Sequence, residues 1–543
     1  MVSRPWQRYA FFFGLLLLAV SKLWVVHTEE IYGSSTEYDA LWYVGSAKHW
    51  YWGATYSWTG FVRPCAYPLF IAVVHFFGIP LRIGIELVQM GGYAVLVAAL
   101  RKAGVPRPLC LAVFGLMIFH PASFLFNSHS MSDSFYAAVL PVVLGGLLLT
   151  LFTRSFLHAA WTGFACAVLW NTREESFLIP LILASFFLLS LFQRRDAKSR
   201  RTHFVFWLKR MAVLTGTMAL FVGIVYTANY RAFHSFAKSD LSSPAFEKAF
   251  KALLRIKPSY SRRYIAVNME ALRLAYEASP TFAQLKPFFE AAPGQTWTNP
   301  VFETIGIREY GPWFMWALRN MTANAGFYKD PVSTNRFYRN VAREINQACD
   351  EGRIPSRPVV SGFLDPGAVS RVRYLPRGIV DIAKLFLFRH QKVMVRADTN
   401  LVPWMDSLYQ EMVFRRPQPA IDASNTVVIP NTLSARLAVA AQNFIGAYYA
   451  NFFLALACAG LAALVLLCFF RRWQLADPPI ALLILLGAAI ATRLLFFAFL
   501  DATWWMFGYE RYVFPVMPLA SCFLVLLIHE AVMVWRRRAV PAV

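Results

Sequence analysis

The sequence predicts an α-helical polytopic membrane protein with about ten transmembrane helices and an inserted, mainly helical extracytoplasmic domain. Three observations carry this expectation. Of the 543 residues, 57% are hydrophobic and 15% charged, too apolar a mixture for a soluble chain of this length. Apolar runs long enough to cross a bilayer recur through residues 1–228 and again in 437–543. Short Lys/Arg clusters follow alternate runs, as expected of loops facing the cytoplasm. The same clusters account for much of the formal net charge of +23, so no nucleic-acid partner is expected.

In chain order, Phe11 to Val26 forms the first span, with Arg4 and Arg8 holding the N-terminus inside. It lacks a small-residue cleavage site and reads as an uncleaved helix. The outer loop after it, Thr36 to Pro68, carries Glu37 and Asp39 and then LWYVGSAKHWYW, whose Trp, Tyr and few charges suit a helix lying in the headgroup layer. Pro68 to Phe77 is too short to cross. Six further spans follow: Ile83–Leu100, Leu109–Phe126, Phe135–Phe152, Phe156–Trp170, Phe177–Phe192 and Met211–Ala228. They alternate sides, with Arg101, Lys102, Arg154 and the basic stretch QRRDAKSRR inside. Residues 229–436 contain no run long enough to span, and stretches such as AFEKAFKALLRI have helical periodicity, predicting the extracytoplasmic domain. Phe444–Phe470, Ile480–Leu500 and Tyr512–Trp535 close the chain with its C-terminus inside. In a cysteine-free background, a cysteine introduced at Gln295 is expected to react with an impermeant reagent in intact spheroplasts and one at Ala197 to stay shielded; the reverse pattern would invert this topology.

There is no P-loop, G-x-G-x-x-G, H-E-x-x-H or fixed-period repeat, which argues against an ATP-driven pump. The seven cysteines show no C-x-x-C spacing, so neither a zinc site nor a disulfide framework is indicated. Cys65 and Cys349 are expected outside, and a bridge between them is left open.

Four polar constellations fall at outer ends of spans. Glu37 and Asp39 precede Tyr43, which lies one helical turn beyond Asp39; on spacing alone an acidic helix cap is the slightly stronger reading. His129 and Asp133, four residues apart, would share a helix face and could hold a divalent metal ion, although capping by Ser132 or Asp133 is the simpler role. Asn171 to Glu175 form a polar knot in which Arg173 either pairs internally or holds a lipid phosphate. Arg493 lies within an apolar span, a costly position that makes it a functional candidate, with Asp501 or Glu510 as its structural partner.

Taken together, the first-loop carboxylate, the aromatic helix, R-P-x-x-Y-P from Arg63, H-P at His120, M-x-D-x-x-Y from Met131, T-R-E at Thr172 and E-R-Y-x-x-P from Glu510 resemble the GT-C superfamily. These are integral-membrane glycosyltransferases using polyprenyl-phosphate sugars, among them protein O-mannosyltransferases and the lipid A aminoarabinose transferase. The similarity covers mainly residues 1–230 and, more loosely, the last hundred. It implies Asp39 as the catalytic carboxylate with Glu37 the second claimant, and matches Asp133 to the second-loop acid and Arg511 to the late arginine. Arg63, Arg173, Arg493 and Arg511 become candidates for the lipid phosphate, with Tyr43 and Glu510 supporting. E-Y-D replaces the usual adjacent Asp-Glu pair, and a large domain is inserted after the seventh span.

The implied reaction is sugar transfer from a polyprenyl-phosphate donor to an unassigned lipid, glycan or protein acceptor on the outer face, here the periplasmic side of a bacterial inner membrane. Asp39 would take or orient the acceptor's proton while arginines meet the charge on the departing phosphate. Partial dehydration of a carboxylate favours proton acceptance. No soluble cofactor is required, and a divalent ion near Asp133 and His129 is left open. A lipid-linked glycan polymerase or ligase, a lipid-linked sugar flippase or transporter, and a non-catalytic scaffold remain as alternatives.

Overall fold

The computed structural model describes residues 5–31, 38–192, 200–261, 264–298, 308–359, 367–388, 403–413, 431–470, 478–503 and 509–539. Among them the regular structure is helical. The first module comprises α1 (Pro5–Val25), α2 (Tyr38–Lys48), α3 (Ala66–Phe76), α4 (Leu81–Lys102), α5 (Arg107–Ile118), α6 (Pro121–Phe126), α7 (Ser132–Thr153), α8 (Phe156–Trp170), α9 (Ile179–Phe192) and α10 (Arg200–Phe233). After it come α11 (Pro244–Arg255), α12 (Met269–Ala278), α13 (Phe314–Asn324), α14 (Pro331–Asp350), α15 (Leu375–Lys384) and α16 (Pro403–Met412). The chain ends with α17 (Leu433–Phe470), α18 (Pro478–Thr503), α19 (Tyr509–Val513) and α20 (Met517–Ala539).

Among the described residues eight helices are long and apolar enough to cross a membrane, making this a multi-pass membrane protein. The expected ten included two that are shorter. Phe156–Trp170 is a 15-residue helix. Leu109–Phe126 is not one span: it breaks at His120-Pro121, where the His120 side chain caps α6 by accepting from the Ala122 N–H. A proline at the first helical position has no N–H to lose there, so the chain restarts a helix instead of continuing one. Phe12, Phe13, Leu16 and Leu17 of α1, Leu220 and Ile224 of α10, and Phe444, Leu454 and Leu461 of α17 are exposed, as befits lipid-facing surface.

Helix α4 packs on α7 with almost no side chain between them. A Cβ at Gly92 would sit 2.2 Å from the Ala138 carbonyl oxygen, and one at Gly145 would sit 2.9 Å from the Leu96 backbone. Only glycine permits that approach, as small residues generally do at intramembrane helix crossings.

Buried residues between Leu241 and Ile354, together with Val62, form a second apolar core, in which α11 and α14 lie side by side. Arg319 donates to Asp240 at 2.5 Å, and the Tyr328 hydroxyl donates to the same carboxylate at 2.8 Å. Helices α15 and α16 behave differently. Ile382 of α15 and Tyr409 and Met412 of α16 belong to the core of the helical bundle. Cys65 and Cys349 are both free thiols in separate apolar clusters, so the bridge between them is absent.

A buried ionic cluster that sequence patterning passed over joins α1, α4, α6 and α17. Lys22 donates to Ser123 Oγ at 2.9 Å and lies 3.6 Å from Glu86. Arg82 bonds Glu86 one turn along α4 and reaches Glu29 at 2.6 Å. Asn127 donates to Glu86 at 3.0 Å and to Gln89 at 2.7 Å, and Gln442 bonds Glu29. Lys22, Arg82 and Glu86 are at most 1% exposed, so each charge depends on its neighbours for the solvation that burial removes.

Candidate active site

Helix α2 begins just before Asp39, which places that carboxylate in the first turn, where the helix dipole favours it. Asp39 is ion-paired with Arg63, whose Nη1 also donates to Glu174 at 3.0 Å. These three side chains form the accessible mouth of the site, retaining 21%, 13% and 28% of their surface for Asp39, Arg63 and Glu174. Burial disfavours the charge on Arg63, but the two carboxylates outweigh it and hold the guanidinium well above its ordinary pKa. Trp316 of α13 covers the Arg63 guanidinium at 4.7 Å from its ring centroid.

Below the mouth the contacts run on without a break. The Tyr43 hydroxyl lies 2.8 Å from Ser132 Oγ, and Arg173 Nη1 donates to that same oxygen at 3.1 Å. Arg173 is 2.7 Å from Asp133 and donates through Nε to Glu175 at 2.6 Å. Arg493 reaches the same Glu175 oxygen at 3.2 Å and bonds the Tyr512 carbonyl. The Tyr512 ring lies 5.1 Å from Arg173, and the Tyr512 hydroxyl accepts from Arg511 at 2.9 Å. Lys238 fastens the Arg173 to Ser176 turn, donating to the carbonyls of Arg173 at 2.8 Å and Glu174 at 3.0 Å and to Ser176 Oγ at 2.5 Å.

Among the described residues that make these contacts, five cations (Arg63, Arg173, Lys238, Arg493, Arg511) accompany four carboxylates (Asp39, Asp133, Glu174, Glu175), an excess suited to an anionic ligand. Asp133 is 1% exposed, and among the described residues neither of its oxygens makes a hydrogen bond besides the Arg173 ion pair. A buried acceptor in that condition is a natural place for a ligand hydroxyl.

Burial lowers the Lys238 pKa from 10.5 to about 8, against the pull of Glu174 and Glu175. The folded protein thus holds this proton less tightly than the unfolded chain. Between pH about 8 and 10.5 the group makes stability rise with pH. Thermal melts across that window should show a gain in the wild type that is smaller in Lys238→Met; equal pH slopes would contradict the assignment.

Several sequence expectations change. Glu37 lies outside the described residues. Arg493 pairs with Glu175 and the Tyr512 backbone rather than with Asp501 or Glu510, and Glu510 is exposed. His129 sits in the turn before α7 and not on the helix that carries Asp133, so the two do not share a helix face. Burial and the neighbouring Arg511 push His129 down to about 4, and Asp133 is taken by Arg173. Arginines at both candidates do not fit a divalent cation, and among the described residues no three His, Cys, Asp or Glu converge. Lys238 and Trp316 are additions to the site. Lys238 is just past the end of a span, where a basic residue attracts no notice, and Trp316 is brought in by the inserted segment.

No protein-family model matches the sequence, and no curated protein does. Among solved structures the chain is similar to the crystal structure of ArnT from Cupriavidus metallidurans bound to undecaprenyl phosphate. The identity is 14%, with a TM-score of 0.32, over 98% of this chain and 78% of that one.

Proposed function

We propose that this protein is a GT-C-type membrane glycosyltransferase that moves a sugar from a polyprenyl-phosphate donor to an acceptor at the extracytoplasmic face of a bacterial inner membrane. The observation carrying the reading is convergence. Residues from motifs at Arg63, Asp133, Thr172 and Glu510, spread over some 450 positions, meet with Asp39 in one connected network. Such convergence is what a shared reaction centre requires.

In this mechanism Asp39 accepts the proton of the attacking acceptor group while the bond between the sugar's anomeric carbon and the phosphate oxygen breaks, leaving polyprenyl phosphate. Asp39 is held by Arg63, so it becomes available as a base when an incoming phosphate draws Arg63 toward itself. In this reading Arg63, at the accessible mouth, and Arg511 meet that phosphate. Arg173 and Arg493 share Glu175, so their role is to brace the wall behind it. The two buried charge clusters lie at the same end of the bundle, which favours surface chemistry over a path for a transported lipid head.

Mass spectrometry of lipid-linked sugars and envelope glycans, with and without the gene, tests the reading. Loss of one sugar from a glycan together with accumulation of its polyprenyl-phosphate form is the expected result. Unsplit lipid-linked oligosaccharide accumulating in its place would support the polymerase or ligase.

A further inference from the structure

The inserted region carries a basic groove far along the chain from the reaction network. Helices α11 and α14 run side by side with Phe246, Ala249, Phe250 and Leu253 of one and Phe337, Val341 and Ile345 of the other turned into a shared core. Each must then present the opposite face to water, and both opposite faces are cationic. Lys248, Lys251 and Arg255 fall at one-turn intervals on α11, and Arg339, Arg343 and Asn346 do so on α14. Together they line a cavity of about 540 Å³. Three acids are close by. Glu247 lies one turn before Lys251 on α11. Asp350 pairs with Arg255 at one end, and Glu344, 3.9 Å from Arg343, is occupied by the Ser279 and Thr281 hydroxyls at 2.6 Å and 2.7 Å. The groove remains strongly positive.

From this we infer that the groove between α11 and α14 binds an anionic saccharide, the charged portion of the acceptor. The inference rests on the glycosyltransferase reading for its biological role but not for its chemistry. Cations repeating at roughly 5–6 Å along two helices suit a ligand with charges in series better than a lone anion, which would want them converging on one point. None of the lining residues is aromatic. A groove for single-stranded nucleic acid interleaves stacking rings with its cations, and a helix resting on lipid sets aromatic or aliphatic side chains beside them. Arg and Asn present the donors that carboxylates, phosphates and sugar hydroxyls accept.

Full-length protein in a neutral detergent, mixed with fluorescent oligogalacturonate as the anionic probe and fluorescent dextran of equal length as the neutral one, provides the test. Oligogalacturonate should bind, weakening steeply with salt, and dextran should not. The exposed residues Lys248, Arg339 and Arg343 can be changed without touching the core. Lys248→Gln/Arg339→Gln/Arg343→Gln should weaken binding about tenfold and flatten the salt dependence, since single exposed charge contacts contribute modestly. Lys248→Arg/Arg339→Lys/Arg343→Lys should bind nearly as the wild type. Equal binding of dextran, or an unaffected Gln triple variant, would overturn the inference. So would a Gln triple variant that loses binding only to vesicles containing phosphatidylglycerol, which would make the groove a membrane contact. If the saccharide binds but the gene's loss leaves envelope glycans unaltered, the groove stands and the transferase reading falls.

Discussion

Asp39→Asn should abolish detectable sugar transfer while leaving the protein inserted and monodisperse. Asparagine retains the size and helix-capping capacity of aspartate, and it can still accept from Arg63, so the mouth of the site keeps its shape. What it loses is the ability to take a proton, and loss of a general base typically costs about 10² to 10⁴ in rate. Complementation of a deletion strain, followed by mass spectrometry of the recipient glycan at matched expression, reads this directly. Glu37→Gln should retain measurable transfer, and Tyr43→Phe, which removes one hydroxyl contact to Ser132, should fall between the two. Near wild-type transfer by Asp39→Asn would remove Asp39 as the base. If Glu37→Gln were also fully active, the polymerase or transporter readings would gain.

The largest loss of stability is expected from Glu86→Ala. That change takes from Lys22 the carboxylate 3.6 Å away and strips Arg82 of one of its two carboxylate partners, at sites at most 1% exposed. Breaking a buried pair from one side costs about 3–5 kcal/mol, because the remaining charge stays where water cannot reach it. Heating detergent-solubilised protein and measuring the surviving monodisperse fraction should reveal early aggregation of Glu86→Ala. Lys22→Met/Glu86→Gln removes one charge of each sign, and the new amide oxygen would still accept from Arg82 and Asn127. The double variant should therefore be more stable than Glu86→Ala, a non-additivity expected of residues in one network. A double variant as fragile as Glu86→Ala would mean that packing, not charge balance, governs this region.

Legibility of the molecule in its sequence followed the range of the interactions involved. Long apolar runs and flanking basic residues disclose helices because both signals are local, and the eight long helices correspond to eight of the ten expected spans. The break at His120-Pro121 was also local, and the helix-starting preference of proline pointed to it even though hydropathy ran straight across. Asp39, Asp133, Arg173 and Arg511 stood out as polar residues at span ends, and Arg63 only through the R-P-x-x-Y-P motif of the resemblance. Their mutual contacts could not be read, since Arg63 meets Glu174 across 111 positions and Arg493 meets Glu175 across 318. Lys22 and the Arg82/Glu86 pair were visible as charges at the ends of apolar segments, and the rule that such charges are seldom idle applied to them as much as to Arg493. Trp316 over Arg63 carried no local signal, because aromatic residues are common throughout the chain.

The glycine crossing between α4 and α7 has a practical consequence for anyone engineering a sturdier version for imaging. Libraries of stabilising substitutions favour replacing helical glycine with alanine, which normally gains through lower unfolded-chain entropy. At Gly92 the added methyl would collide with the Ala138 carbonyl and at Gly145 with the Leu96 backbone, forcing the two helices apart. Helix α7 carries Ser132 and Asp133 at its head and α4 carries Arg82 and Glu86 at its own, so a wedge at the crossing would disturb both polar clusters together. Gly216 and Gly223 of α10 meet nothing within 4 Å of an added Cβ, and alanine belongs there instead.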